Sequence, residues 1–163
     1  MEYKSVPLEL KDMNHGRREI VFAHAVYDNI DHFGDISRRG MFNKSWQENK
    51  ANIGFNINHK DSDAGKTIDV WDDEFKAYTQ VKIASNTTGD DLIEMVDAGI
   101  ISSASFEYNT LRREYKTIKG RRIRELKEVR HLKSTLATYD NPAVNPLTGI
   151  VSMTKTQNIR TIL

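Results

Sequence analysis

The chain has 163 residues, of which 38% are hydrophobic and 29% charged, with a formal net charge of +1, and this length suits one globular domain with one hydrophobic core. Because the chain contains no cysteine, disulfides, thiolate zinc sites and thiol catalysis are excluded. No window approaches the roughly 20 apolar residues of a membrane-spanning helix, so no membrane association is expected, and the near-neutral charge argues against a general attraction to nucleic acid.

The first third of the chain predicts two β segments, a short helix and a further strand. Residues 2–10 and 18–27 are rich in β-branched and aromatic types and are separated by a turn-like DMNHG run. After a loop rich in Asn, Asp and Gly, residues 41–50 place their large apolar side chains on one face of a short helix. Residues 53–59 then alternate as a strand, which puts His59 on the same side as three apolar residues.

The rest of the chain predicts more strands and one longer helix. Residues 66–83 are typical of a hairpin, and residues 86–99 of a helix that ends at a glycine. A strand follows at 100–108, residues 113–126 turn at a Lys-Gly pair, and the β pattern continues to residue 139. About seven or eight strands with two helices, lacking regular β-α alternation, favour an antiparallel barrel or sandwich decorated by helices over a doubly wound sheet.

Positive charge is concentrated in residues 111–133, which hold ten Lys or Arg against three Glu and so carry a net +7. Such a run is most often the solvated face of a hairpin. Its functional interpretation is contact with an acidic partner, either nucleic acid or an acidic protein scaffold. Nucleic acid is the less favoured of the two, because the tryptophans and tyrosines do not form an obvious stacking platform.

The candidate chemistry reduces to a serine and a histidine. The five histidines show no HxxxH or HxH pair, and no glycine-rich phosphate loop is present, so neither a metal nor a cofactor is expected. A serine hydroxyl becomes a nucleophile when an imidazole takes its proton and a third group orients that imidazole. His59 lies at the end of one predicted strand and Ser105 within another. Taken alone, such a pair is more often structural than catalytic.

Four segments in chain order carry short motifs that have more meaning together. They are DHFGDISRRGMF at 31–42, FNINH at 55–59, GIISSASFEY at 99–108 and LATYDNPA at 136–143. In sequence and order they resemble elements of the tailed-phage prohead protease family, over about residues 18–150. The resemblance implies a mainly β fold with helices, specifically an antiparallel β-barrel flanked by helices as in herpesvirus assemblins. It places the protease domain at residues 1–150 and a loosely ordered tail at 151–163.

The same resemblance implies a function and two site residues. Ser105 corresponds to the nucleophile and His59 to the general base of a serine endopeptidase that acts in capsid maturation. Its expected partners are the major capsid protein and the scaffold protein, which it would cut, often together with itself, inside the immature capsid in the host cytoplasm. By analogy with assemblins, a homodimer is also open.

The sequence departs from the family pattern at two positions, which leaves the third member of the triad undecided. Glu107 stands where the family usually has glycine, and Lys133 stands where a Glu is common. A charged lysine cannot accept the imidazole N–H. His131, expected two residues away on the same face, is the favoured third member, with Glu128 and Asp140 as alternatives. The remaining alternative is a weakened protease fold that serves as a capsid assembly or scaffold-binding module.

Overall fold

The computed structural model describes residues 1–31 and 33–138, in which the chain is mostly β structure. The expectation of a mainly β fold with few helices is therefore confirmed. The predicted tail at 151–163, and the segment from residue 139 that includes Asp140, lie outside the described residues. The elements are β1 (Glu2–Pro7), β2 (Leu10–Asn14), β3 (Glu19–Val26), β4 (Asp35–Ser37), α1 (Asn43–Asn49) with a 3-10 turn at Lys50–Asn52, β5 (Gly54–Ile57), β6 (Gly65–Asp72), β7 (Lys76–Ile83), α2 (Thr87–Asp97), β8 (Ile101–Ile118) and β9 (Arg121–Thr138).

The strands form two sheets. The first has the order β1-β8-β9-β4, and β5 also pairs with β9. The second has the order β2-β3-β7-β6 and is antiparallel throughout. Among the described residues the hydrogen bonding does not close either sheet into a barrel, so the barrel expectation is corrected. Each sheet keeps its own edge strands, and β4 and β5 join β9 in parallel, at different points along its length.

The main core fills the space between the sheets. It combines apolar side chains from the first sheet, such as Ala104 and Leu136, with side chains from the second, such as Phe22 and Val81. Helix α2 adds Leu92 and Val96 to the same cluster. Burying the inward faces of both sheets in this way removes apolar surface from water, which is the main stabilising contribution to such a fold.

Helix α2 is attached to the preceding strand through a very close contact. Its N-cap is Asn86, whose side chain accepts a hydrogen bond from the Gly89 N–H at 2.7 Å. A Cβ added at Gly89 would lie 2.0 Å from the Ala84 carbonyl oxygen. Only glycine permits this approach of the helix to the end of β7, so this residue fixes where α2 begins relative to the sheet.

Strands β8 and β9 form one long hairpin that turns at Lys119 and Gly120, as the sequence predicts. Both turn residues have positive φ, 51° and 76°, as a tight two-residue hairpin requires. The half of β8 near Ile101 is buried between β1 and β9, whereas residues 111–117 are exposed. Neither helix in the described part of the chain has the length and apolar character needed to cross a bilayer.

Candidate active site

Ser105 is held in the middle of the first sheet. It lies in β8, opposite Ser5 of β1 on one side and Thr135 of β9 on the other. Glu107 follows two residues later, so the alternation of a strand places its side chain on the same face as Ser105. A central strand with a partner on each side holds both side chains in fixed positions, as a reactive site needs.

His59 reaches the same face through a left-handed turn after β5. Asn58 and His59 have φ values of 55° and 58°, a conformation that costs a non-glycine residue roughly 1 kcal/mol. Hydrogen bonds to β9 stabilise the turn: the Asn58 N–H donates to the Leu136 carbonyl at 2.9 Å, and the His59 N–H donates to Thr135 Oγ1 at 3.3 Å. The expected alternation therefore ends before His59, which leaves the apolar side of β5 and joins the side of Asn56.

The three side chains form a continuous hydrogen-bond chain. His59 Nε2 is 2.8 Å from Ser105 Oγ, and His59 Nδ1 is 3.2 Å from Glu107 Oε2. A carboxylate can only accept, so the proton of the neutral ring lies on Nδ1 and leaves Nε2 to accept from the serine hydroxyl. This tautomer is the one in which an imidazole can act as a general base toward a serine.

Two further side chains hold this arrangement in place. Asn56, on β5, donates from Nδ2 to Glu107 Oε2 at 3.0 Å, so the carboxylate is fixed from a second side. Tyr3, opposite Glu107 on β1, lies against His59 with the ring centroids 4.3 Å apart. The Glu107 side chain is only 7% exposed and that of His59 17% exposed, which strengthens the electrostatic interaction between them.

The structure brings together two of the three residues that the sequence analysis favoured, but not His131. A β-bulge between the pairs Glu107–Lys133 and Tyr108–His131 turns His131 onto the opposite face of the sheet. There it accepts from Trp46 Nε1 at 3.0 Å and bonds Ser134 Oγ through Nε2 at 3.0 Å. Complete burial lowers the pKa of His131 to about 3. Both of its nitrogens are thus engaged away from His59.

The other two alternatives do not supply the missing group either. Glu128 lies opposite Arg112, further along the hairpin, and Asp140 is outside the described residues. The carboxylate that contacts His59 belongs to Glu107, which the sequence analysis treated only as a departure from the family pattern. Its signal was present in the strand alternation, because Glu107 shares a face with Ser105.

The position of Lys133 explains why a carboxylate on the neighbouring strand can replace the expected one. Lys133 lies directly opposite Glu107 on β9, so these two positions have adjacent side chains on one face of the sheet. The Lys133 Nζ extends to the exposed Asp61 carboxylate at 3.4 Å. The acid expected at position 133 is therefore matched by an acid at the cross-strand position 107.

Comparison with known proteins agrees with this geometry. The model of the caudovirus prohead serine protease family matches residues 7–160. The fold is similar to that of the bacteriophage T4 capsid assembly protease gp21, with a TM-score of 0.57 and 12% identity, over 84% of this chain and 96% of that chain. A comparison with curated proteins gave no match. The family supports a role as a serine protease of capsid maturation. The chain belongs to the caudovirus prohead serine proteases.

Proposed function

We propose that this protein is a serine endopeptidase in which Ser105 is the nucleophile, His59 the general base and Glu107 the residue that orients His59. The proposal is carried by the hydrogen-bond chain Ser105–His59–Glu107, in a member of a serine protease family. The three groups come from two sequence-distant segments, and each has the partner that its role requires.

The proposed reaction follows from the direction of these hydrogen bonds. Ser105 Oγ attacks the scissile carbonyl carbon while His59 Nε2 takes the hydroxyl proton. The carboxylate of Glu107 stabilises the imidazolium that results and keeps its ring in place. His59 then gives the proton to the leaving amine, which leaves an acyl-serine. Water, deprotonated by the same imidazole, hydrolyses this ester and restores the Ser105 hydroxyl.

The proposed substrates are the major capsid protein and the scaffold protein of the same virus, cut inside the immature capsid in the host cytoplasm, and the protease itself. This part of the proposal rests on the family and on the printed name of the similar T4 protein, a capsid assembly protease. A homodimer is retained as part of the same analogy.

The test is co-expression of the protein with those two candidate substrates. Cleavage products are expected with the wild type and with Ser102→Ala, which removes a hydroxyl from the same strand. Ser105→Ala should abolish cleavage, because no other group replaces its Oγ. If the Ser105→Ala variant cleaves as well as the wild type, the nucleophile is assigned incorrectly.

The second candidate function is a protease fold that acts without catalysis, as a capsid assembly or scaffold-binding module. It is favoured by the complete burial of Ser105, which has 0% exposure, since a nucleophile must be reached by its substrate. This candidate predicts that a serine-directed fluorophosphonate leaves the protein unlabelled while it still co-assembles with capsid protein. Labelling at Ser105 would reject it.

A further inference from the structure

The distal half of the β8–β9 hairpin carries an open strand edge. Strand β8 pairs with β1 only as far as Tyr108, so its outer edge from residue 109 to 118 has no strand partner in the described part of the chain. Residues 111–117 are exposed. Backbone N–H and C=O groups on such an edge are available to another extended chain, which would continue the line of β1.

A pocket of about 540 Å³ opens beside this edge. Its apolar walls include Phe33 and Tyr115, which are 61% and 48% exposed. Tyr108 also lines the pocket; it is fully buried, and its hydroxyl has no hydrogen-bond partner among the described residues. Lys4 of β1 lines the same pocket, and alternation along β1 puts its side chain on the opposite face from Ser5. The pocket is therefore separate from the candidate active site.

Two arginines lie on the rim with unused hydrogen-bonding capacity. The guanidinium carbons of Arg122 and Arg113 are 4.0 and 5.9 Å from the Tyr115 ring centroid. Neither arginine forms an ion pair with a carboxylate in the residues that the structure describes, whereas Arg124 beside them is bound to Asp35. A guanidinium held flat on a ring keeps its edge free for a carboxylate or phosphate.

We propose that the pocket and the open edge of β8 bind an extended acidic segment of a partner protein. The segment adds to β8 as a strand, places an apolar side chain in the pocket, and presents carboxylates to Arg113 and Arg122. A peptide fits this surface better than nucleic acid does, for two reasons. The edge offers peptide hydrogen bonds, and Glu2 and Asp35 in the pocket repel a polyphosphate. Docking does not depend on the proposed catalysis.

The test measures binding to the Ser105→Ala variant, so that no cleavage can occur and failure of the proposed catalysis does not affect the result. The probe is a fluorescein-labelled ten-residue peptide that alternates Glu with Val and Phe, followed by fluorescence polarisation. Saturable binding that weakens as salt is added is expected. Adding Arg113→Glu and Arg122→Glu should weaken it at least ~10-fold, because each charge-assisted contact contributes more than 1 kcal/mol. Lys44→Glu, an exposed cation on α1, should leave it unchanged.

Three results would overturn the proposal. The first is no saturable binding by the wild-type surface. The second is equal binding of the same peptide with alternate amides N-methylated, which removes its ability to add as a strand. The third is tighter binding of a 20-nucleotide single strand that displaces the peptide. Circular dichroism confirms that the charge-reversed variant is folded, and the milder Arg113→Gln with Arg122→Gln pair must weaken binding as well.

Discussion

Glu107 contacts His59 through one carboxylate oxygen, which also accepts the Asn56 amide. In Glu107→Gln the negative charge that stabilises the imidazolium is lost, and the tautomer is no longer fixed. We expect the rate of fluorophosphonate labelling at Ser105 to fall by roughly 10²- to 10⁴-fold, the range seen when a triad loses its acid. Glu114→Gln, an exposed position on the same strand, is the control. A labelling rate equal to that of the wild type would remove Glu107 from the mechanism.

The cross-strand relation of Glu107 and Lys133 allows a second test at the residue scale. Glu107→Gly should lose labelling as Glu107→Gln does. Adding Lys133→Glu returns a carboxylate to the same face from the opposite strand, at the position where the family commonly has it, because paired positions lie only about 5 Å apart. We expect the double variant to be labelled at least ~10-fold faster than Glu107→Gly alone. Equal rates for the two would show that position 133 cannot support His59.

The residues of the candidate site were predictable to different degrees. Ser105 and His59 carry recognisable local motifs, so the sequence brings them forward as a pair. The partner of His59 depends on which strand lies beside β8 and on where a bulge falls, and neither is encoded in a short motif. His131 was favoured because strict alternation puts residues 131 and 133 on one face, and the bulge in β9 separates them.

The same distinction holds for whole elements. Helix α2, the strand that begins β8 and the turn at Lys119 and Gly120 depend on local patterns, and the structure has each of them. The parallel pairing of β4 and β5 with β9 depends on long-range contacts, and so does the division into two sheets. The predicted antiparallel barrel therefore failed where local sequence carries no information about strand partners.

Helix α2 offers a prediction in which local propensity and packing disagree. Gly89→Ala should stabilise a helix by up to about 1 kcal/mol on propensity alone. Here the new Cβ would meet the Ala84 carbonyl at 2.0 Å, and overpacking against backbone costs about 1–3 kcal/mol. We expect a net loss in the free energy of unfolding, measured by urea denaturation. Thr87→Ala, an exposed position in the same helix, should change it little, and a stabilised Gly89→Ala would contradict the contact.

Across the whole molecule, a buried hydrogen-bond chain joins the two sheets. Trp46 can only donate to His131, which therefore carries its proton on Nε2 and donates to Ser134 of β9. Ser134 and Thr79 of β7 bond at 2.7 Å, and Thr79 bonds His24 Nδ1 of β3 at 2.7 Å. The chain has one consistent direction only when both histidines are neutral, so their protonation opposes the packing of the two sheets.

This network predicts an acid-sensitive fold. Burial, together with the nearby His131, lowers the pKa of His24 well below its ordinary value, and burial lowers that of His131 to about 3. The unfolded chain takes up both protons below about pH 6.5, where the folded protein does not. Stability is therefore full above this pH and is lost as pH falls, by about 1.4 kcal/mol per pH unit for each histidine.

Urea denaturation between pH 5 and 6 isolates this effect, because most carboxylates titrate lower. The slope of unfolding free energy against pH should approach the value for two protons in the wild type and for His15→Gln, whose ring is exposed. In His24→Gln it should fall to the value for one proton, since one buried imidazole is removed. The slope is informative even if this variant is less stable, because it counts protons and not contacts. A slope that His24→Gln leaves unchanged would mean that His24 is already protonated in the folded protein, which the direction of the hydrogen-bond chain does not allow.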